Sequence, residues 1–313
     1  MSGTGRLARW GRCEVLASAL FLSVLCAGCG STSSSSSPTG AVQSGSGAQS
    51  SKGHGSVNVL YAGSLQNVMN KRIGPAFQRA TGYSFTGFPA GSKDLANEIK
   101  GKVRQGDVFI SASPRVNATL KGPANGDWVS WYAPFGSTAL VVGYNPNSRF
   151  AAALKTGPWY RVVAENGFRL GYTDPKLDPK GVLAVAALQQ AAQAYKQPAL
   201  GRIASSQADL FPEQDLVGRL QSGQLDAGFF YTVEAASAHI PTVPLGAIHE
   251  QAKYTISVLN RAPNQPGAVA FVKFLLGPRG QTLLRRVGLT VTSMPAATGS
   301  GVPAGLNQVI KAP

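Results

Sequence analysis

The chain has 313 residues, 43% hydrophobic and 14% charged, which is enough apolar material for one large or two ordinary domains and excludes wholesale disorder. Its 29 Lys and Arg against 14 Asp and Glu give +15, excluding an acidic solvating protein and leaving anionic partners open: nucleic acid, a lipid surface or a small anion. With 3 Cys and 3 His, a structural zinc site of the usual spacing is nearly excluded.

Residues 1–28 read as an export signal. Arg6, Arg9 and Arg12 precede the apolar run Val15–Gly28, which falls short of the ~20 residues a spanning helix needs. The run ends Leu25-Cys26-Ala27-Gly28-Cys29, which resembles a bacterial lipoprotein box, with Cys29 as the lipidated residue and Cys26 as a departure from the usual Leu. Cutting before Cys29 removes three basic residues and Glu14, lowering the +15 by two. All three Cys lie in this segment, so no disulfide is expected in the folded part. Residues 29–55 form a Ser/Gly-rich tether. A flexible coil of about 26 residues reaches roughly 25–30 Å, which suits a domain held near a membrane face.

From residue 57 onward, strands and helices alternate. Val57–Ala62 reads as a buried strand and Ser64–Thr81 as a helix bent or broken by Pro75. Tyr83–Phe88 is a strand, Ser92–Arg104 a helix and Asp107–Ala112 a strand. Thr138–Tyr144 and Phe168–Tyr172 are strands, and Val182–Tyr195 is a long helix. Asp215–Gln221 is a short helix, Asp226–Tyr231 and Tyr254–Leu259 are strands, and Pro266–Val287 is a helix. This alternation predicts an α/β fold with a largely parallel sheet. The strands at 138–144 and 254–259 are candidate crossovers between two lobes.

Two turns share one design. Tyr61-Ala62-Gly63-Ser64 and Ala90-Gly91-Ser92 each leave an extended segment and open a helix, with Ser at the N-cap position. Helix N-termini attract anions, and a Ser hydroxyl adds a neutral donor, although Ser also caps helices with no ligand present. Open α/β folds bind ligands at the carboxyl ends of strands, so the pair together is more telling than either alone. Three further segments stand out: the rigid Asp-Pro repeat at 174–181, Glu213-Gln214-Asp215-Leu216, and Phe229-Phe230-Tyr231, which ends in a phenol that can donate.

These segments, in this order, resemble the molybdate/tungstate-binding proteins that serve ABC importers. The resemblance runs through YAGSL (61–65), AGSKDLANEI (90–99), GDVFISAS (106–113), YTDPKLDPKG (172–181), EQDLVGRLQSGQLDAGFFY (213–231), YTISVLNRAPN (254–264) and GAVAFVKFLLGPRGQTLL (267–284), nearly all of 57–290. It implies a two-lobed, type II periplasmic binding protein, each lobe a mixed sheet flanked by helices, with the ligand in the cleft between them. Lobe I would hold 56–137 and 253–313, and lobe II 138–252.

The resemblance implies oxyanion contacts at Ser64, Ser92, the neighbourhood of Lys180, Leu216 and Tyr231. In the branch first known from archaea it implies two carboxylate ligands to the metal of the anion, matching Asp178 and Glu213. Lys180 departs from the small residue expected before the Gly. Phe230-Tyr231-Thr232 sits where that branch often differs. Carboxylates would repel sulfate or phosphate, whose central atoms take no further oxygen ligands in solution. Hexavalent molybdenum or tungsten is a hard centre that can expand from four to six oxygens, so the same acids would favour those anions. An Asp-Pro turn and an acid at a helix start are the plain structural readings of the two residues.

The expected protein is therefore not an enzyme and carries no cofactor. It is an exported, lipid-anchored monomer that binds molybdate or tungstate, delivers it to a membrane permease and does not bind nucleic acid. The rivals are a binder of sulfate or phosphate and a secreted serine hydrolase using Ser64 or Ser92, for which His239 and His249 are the candidate bases outside the tether. The aromatic run Trp128, Trp131, Tyr132 and Phe135 reads as packing between lobes.

Overall fold

The computed structural model describes residues 53–312; the predicted signal segment, Cys29 and most of the predicted tether lie outside the described residues. In chain order the elements are β1 (Ser56–Ala62), α1 (Gln66–Val68), α2 (Gly74–Thr81), β2 (Ser84–Ala90), α3 (Ser92–Lys100), β3 (Val108–Ser111), α4 (Pro114–Ala118) and β4 (Trp131–Tyr144). Then come α5 (Ala151–Thr156), α6 (Trp159–Val162), β5 (Leu170–Thr173), α7 (Pro179–Ala194), α8 (Pro198–Ala204), β6 (Leu210–Phe211), α9 (Glu213–Gln221), β7 (Ala227–Tyr231) and α10 (Thr232–Ser237). The chain ends through β8 (Thr242–Pro244), β9 (Gln251–Val258), α11 (Gln265–Leu276), α12 (Pro278–Arg285), β10 (Thr290–Val291) and β11 (Thr298–Gly299). No helix among the described residues is long and apolar enough to cross a membrane.

The largely parallel sheet expected from the alternation of elements needs correction: the sheet is mixed, as the family resemblance implied. Its strand order is β2-β1-β3-β9-β4-β7-β5-β6. β1 pairs in parallel with β2 and β3, and β5 with β6 and β7, whereas every pairing of β4 and β9 is antiparallel. Two parallel half-sheets thus flank an antiparallel pair. β4 belongs to both halves: Ala133–Ala139 pair with β9 and Leu140–Tyr144 with β7.

Period-two alternation explains why the parallel strands are buried on both faces. In β1, Val57, Val59 and Tyr61 join the core with Phe77 of α2, while Leu60 points the other way onto Leu95 and Ile99 of α3. In β7, Phe229 and Tyr231 join the core with Ala184 and Leu188 of α7, and Phe230 meets Leu216 and Leu220 of α9. Trp131 and Phe135 are core residues of β4.

Several boundaries differ from the sequence expectation for identifiable reasons. The run from Ser64 to Thr81 stays helical but opens into a π turn over Met69–Ile73 just before Pro75, which relieves the clash of the proline ring with the preceding turn. α3 stops at Lys100, not Arg104. Lys102 takes a left-handed backbone (φ 57°) and the Val103 N–H folds back onto the Glu98 carbonyl (2.9 Å). β4 begins seven residues before Thr138, through a register shift between Pro134 and Gly136 that absorbs a residue with no N–H to donate. The expected helix 266–287 is two helices, because Gly277 before Pro278 is extended (φ −76°, ψ 172°) and Pro278 starts α12.

Candidate functional site

The parallel strands β1, β2, β5 and β7 end at Ala62, Ala90, Thr173 and Tyr231, and each end leads into a helix start or a turn. These ends bring Ser64, Ser92, Asp178, Lys180, Glu213 and Tyr231 into one buried neighbourhood. Leu216 is the exception. Its side chain packs in the core with Leu220 and Phe230, so only its main chain could serve a ligand.

The two Ser residues are not N-caps. Ala62 and Gly91 hold those positions, and the Ser hydroxyls are engaged elsewhere. Ser64 Oγ lies 2.8 Å from the Tyr254 hydroxyl, and Ser92 Oγ accepts from the Ala112 N–H at 3.1 Å. A hydroxyl that accepts from a main-chain N–H keeps its own proton to donate. His239 and His249 are exposed, and neither Ser hydroxyl bonds to a histidine.

The acids come from helix starts in the other half of the sheet. Asp178 is the N-cap of α7 and Glu213 is the first residue of α9, so that helix starts two residues before the Asp215 expected from the sequence. The Glu213 carboxylate reaches across to β1 and accepts from the Gly63 N–H (2.8 Å) and the Ser64 N–H (3.0 Å). Those N–H groups are the anion donors expected of the Gly-Ser turn, and here a carboxylate takes them. At the second turn, the N–H groups of Lys93 and Asp94 both donate to the Leu177 carbonyl at 3.0 Å. Gly91 permits this approach, since a Cβ there would lie 2.7 Å from that carbonyl oxygen.

Lys180 is fully buried in a charge network that the sequence did not reveal. Its Nζ donates to both oxygens of Glu234 (3.0 and 2.8 Å) and lies 3.5 Å from Glu213 Oε1. Glu234 also accepts weakly from the Tyr231 N–H (3.4 Å), three residues before it. An acid at the third position of a helix opening after a strand was the available signal. Lys180 therefore points at carboxylates, with its pKa raised by them against the effect of burial.

Other polar atoms here lack a hydrogen bond of normal geometry: both Asp178 oxygens, the Tyr231 hydroxyl and the Thr173 hydroxyl, all buried, although the Thr173 hydroxyl and the Lys180 N–H lie close enough to act on the Asp178 carboxylate. Burial raises the Asp178 pKa, outweighing the Lys180 charge, the Thr173 hydroxyl and the Lys180 N–H, which draw it down. Unpaired buried groups are rare and costly, and grouped orphans of this kind fit a small polar ligand. Glu213 and Glu234 also line, with Gly63 and Ser64, a cleft of about 210 Å³, which Asp178, Tyr231 and Thr173 do not line.

Three buried acids beside one ammonium set the pH response of the ligand-free protein. Burial and then the Asp178 charge push Glu213 up to about 8, from 4.5 when solvated. Asp178 and Glu234 move the same way, burial being the largest cause in each. Between these values the folded chain holds more protons than the unfolded chain, so stability falls as pH rises through that window. The expected slope is up to about 1.4 kcal/mol per pH unit for each proton. Thermal melts from about pH 5 to about pH 8 check it, and Glu213→Gln flattens the slope.

Gly181 shows why the loop before α7 has its sequence. A Cβ there would sit 2.1 Å from the Thr173 carbonyl oxygen and 2.7 Å from the Pro175 nitrogen. Gly181→Ala should gain roughly 1 kcal/mol in helix propensity. It should lose more by forcing the Asp178–Lys180 segment off β5, for a net destabilisation of about 1–3 kcal/mol in urea melts.

The comparisons agree with this architecture. The profile of the bacterial extracellular solute-binding protein family matches residues 57–290, and the chain belongs to that family. It is similar to the molybdate/tungstate-binding protein WtpA of Thermococcus kodakarensis, with 23% identity covering 91% of this chain and 93% of that protein. In fold it is similar to the periplasmic molybdate-binding protein of Azotobacter vinelandii, with a TM-score of 0.61 and 17% identity over 75% of this chain and 99% of the other. It is also similar in fold to the sulfate-binding protein SubI of Mycobacterium tuberculosis, with a TM-score of 0.56 and 18% identity over 81% and 90%. The likeness to these neighbours is consistent with the two-lobed type II fold of periplasmic binding proteins, and the family the chain belongs to is one of solute-binding proteins.

Proposed function

We propose that this protein is an extracytoplasmic carrier that binds molybdate or tungstate between two lobes, 56–137 with 253–313 and 138–252, and delivers it to an ABC permease. The observation that carries this reading is the Asp178 carboxylate, buried without a hydrogen bond of normal geometry beside Tyr231 and near Glu213. Asp178 and Glu213 would ligate the metal. Ser64, Ser92 and Tyr231 would donate to the oxo groups, with main-chain N–H groups, Leu216's among them, adding to the set. Lys180 holds the acids in place as their counter-charge. Glu213 would turn from the Gly63 and Ser64 N–H groups to the metal, freeing those donors for the anion. The chain would act as a monomer, anchored through lipid on Cys29 at the outer face of the membrane.

Two acids in an oxyanion pocket raise the energy of a sulfate complex and lower that of a centre able to accept further oxygens. Thermal melts of the full chain with tungstate, molybdate, sulfate and phosphate test the reading. A ligand at about 1,000 times its Kd adds about 4.1 kcal/mol. The expected result is a large upward shift with tungstate or molybdate and none with sulfate. A shift with sulfate as large as with tungstate would overturn the assignment in favour of a sulfate carrier.

A further inference from the structure

Away from this site, five cations line one surface groove of about 620 Å³: Lys71, Arg72, Arg79, Arg279 and Arg286, around a floor that includes Ala76 and Leu283. The π turn and α2 supply one wall and α12 the other, and each presents a helical stripe. Arg72, Ala76 and Arg79 are spaced by four and three residues, and Arg279, Leu283 and Arg286 repeat that spacing. All five cations are exposed and no acid lines the groove. Among the described residues the ion pairs belong to other cations, Arg104, Arg169 and Lys180. The chain outside the described residues has little to neutralise them, since residues 1–52 contain one acid, Glu14.

The groove also lies where the chain enters the folded body. The N–H of Gly53, the first described residue, donates to the carbonyl of Thr81 at 2.9 Å, two residues beyond Arg79 on the same helix. β1 and β2 pair in parallel from Ser56 and Ser84, so α2 between them ends at the edge of the sheet opposite Gly63 and Ser64. The cations therefore extend toward the entry of the chain and away from the oxyanion site.

We propose that this groove is a docking surface for the phosphodiester headgroups of an anionic lipid membrane. A broad, shallow groove of exposed cations without ion-pair partners among the described residues suits a plane of phosphates, and under the lipid anchoring proposed above the chain enters on the membrane side. Each basic residue at an anionic surface adds roughly fivefold to partitioning. The contact is independent of the oxyanion assignment, because the two share no residue.

The test is co-sedimentation of the full chain with vesicles of phosphatidylcholine alone and with about 30% phosphatidylglycerol. Amide hydrogen exchange is measured on the same samples. A groove variant carries Lys71, Arg72, Arg79, Arg279 and Arg286 changed to Gln. A control of equal charge carries Lys100, Lys102, Arg115, Lys155 and Arg161 changed to Gln. The expected result is that the groove variant loses at least about 100-fold of the preference for anionic vesicles while the control loses less than about tenfold. Exchange in α2 and α12 of the unaltered chain should slow only on anionic vesicles. Equal loss in both variants would reduce the effect to net charge and overturn the proposal. Unchanged binding by the groove variant would overturn it, as would equal protection of α2 and α12 by millimolar inorganic phosphate without vesicles.

Discussion

Replacing Asp178 and Glu213 together by Ala should abolish discrimination between tungstate and sulfate, and it should weaken tungstate binding by at least about 100-fold. Charged ligand contacts contribute about 1.5–3 kcal/mol each, and 1.4 kcal/mol corresponds to tenfold in affinity. The two positions should not behave alike. Asp178 makes no hydrogen bond of normal geometry and burial disfavours its charge more than its neighbours favour it, so Asp178→Asn should leave the fold almost as stable while costing affinity. Glu213 holds two main-chain N–H groups and faces Lys180, so Glu213→Ala should lower both stability and affinity. Isothermal titration of the single and double variants with tungstate, molybdate and sulfate, beside urea melts, separates these effects. If the double variant kept tungstate affinity within about threefold of the unaltered protein, a difference under 1 kcal/mol, direct carboxylate ligation would be wrong.

Lys180→Met should be among the most damaging single changes in the molecule. The ammonium is fully buried, bonded to both Glu234 oxygens and close to Glu213. Without it, Glu234, Glu213 and Asp178 face one another with no buried cation. Removing one partner of a buried pair costs about 3–5 kcal/mol, because the uncompensated charge stays behind. The acids would escape part of that cost by taking up protons, so the loss should be larger near pH 8 than near pH 5. Adding Glu234→Gln should recover some of the stability, because it removes an orphaned charge. Urea midpoints at the two pH values check both statements. Lys180→Arg should not substitute well, since a planar guanidinium needs more room than the pocket around a 0% exposed ammonium offers.

How legible the molecule was depended on how local each determinant is. Strand β1 and helix α3 could be read because apolar periodicity and the Gly-Ser turns lie close together in the chain. Periodicity could not show the mixed sheet, which only the family resemblance implied, because β9 inserts between β3 and β4 through pairings more than a hundred residues apart in sequence. Asp178 and Glu213 were singled out through resemblance, not spacing, since an Asp-Pro turn and an acidic helix start look ordinary by themselves. The donor character of the Ser64 turn was legible, but the Glu213 carboxylate that takes its N–H groups was not, as 149 positions separate the two. Lys180 stands out in the sequence as an unusual residue before Gly181. Its ion pair with Glu234 appears only once the first turns of α7 and α10 meet, because charge pairing across a fold leaves no periodic trace in the chain.

The clasp of Glu213 on Gly63 and Ser64, and of the Leu177 carbonyl on Lys93 and Asp94, bears on which guests the neighbourhood would favour. Every bond in it comes from the chain itself, so an anion entering there would compete with acceptors the N–H groups already have. Turning the side chain at position 213 away from its own backbone would cost those bonds, and only a guest that rewards the displaced carboxylate would offset them.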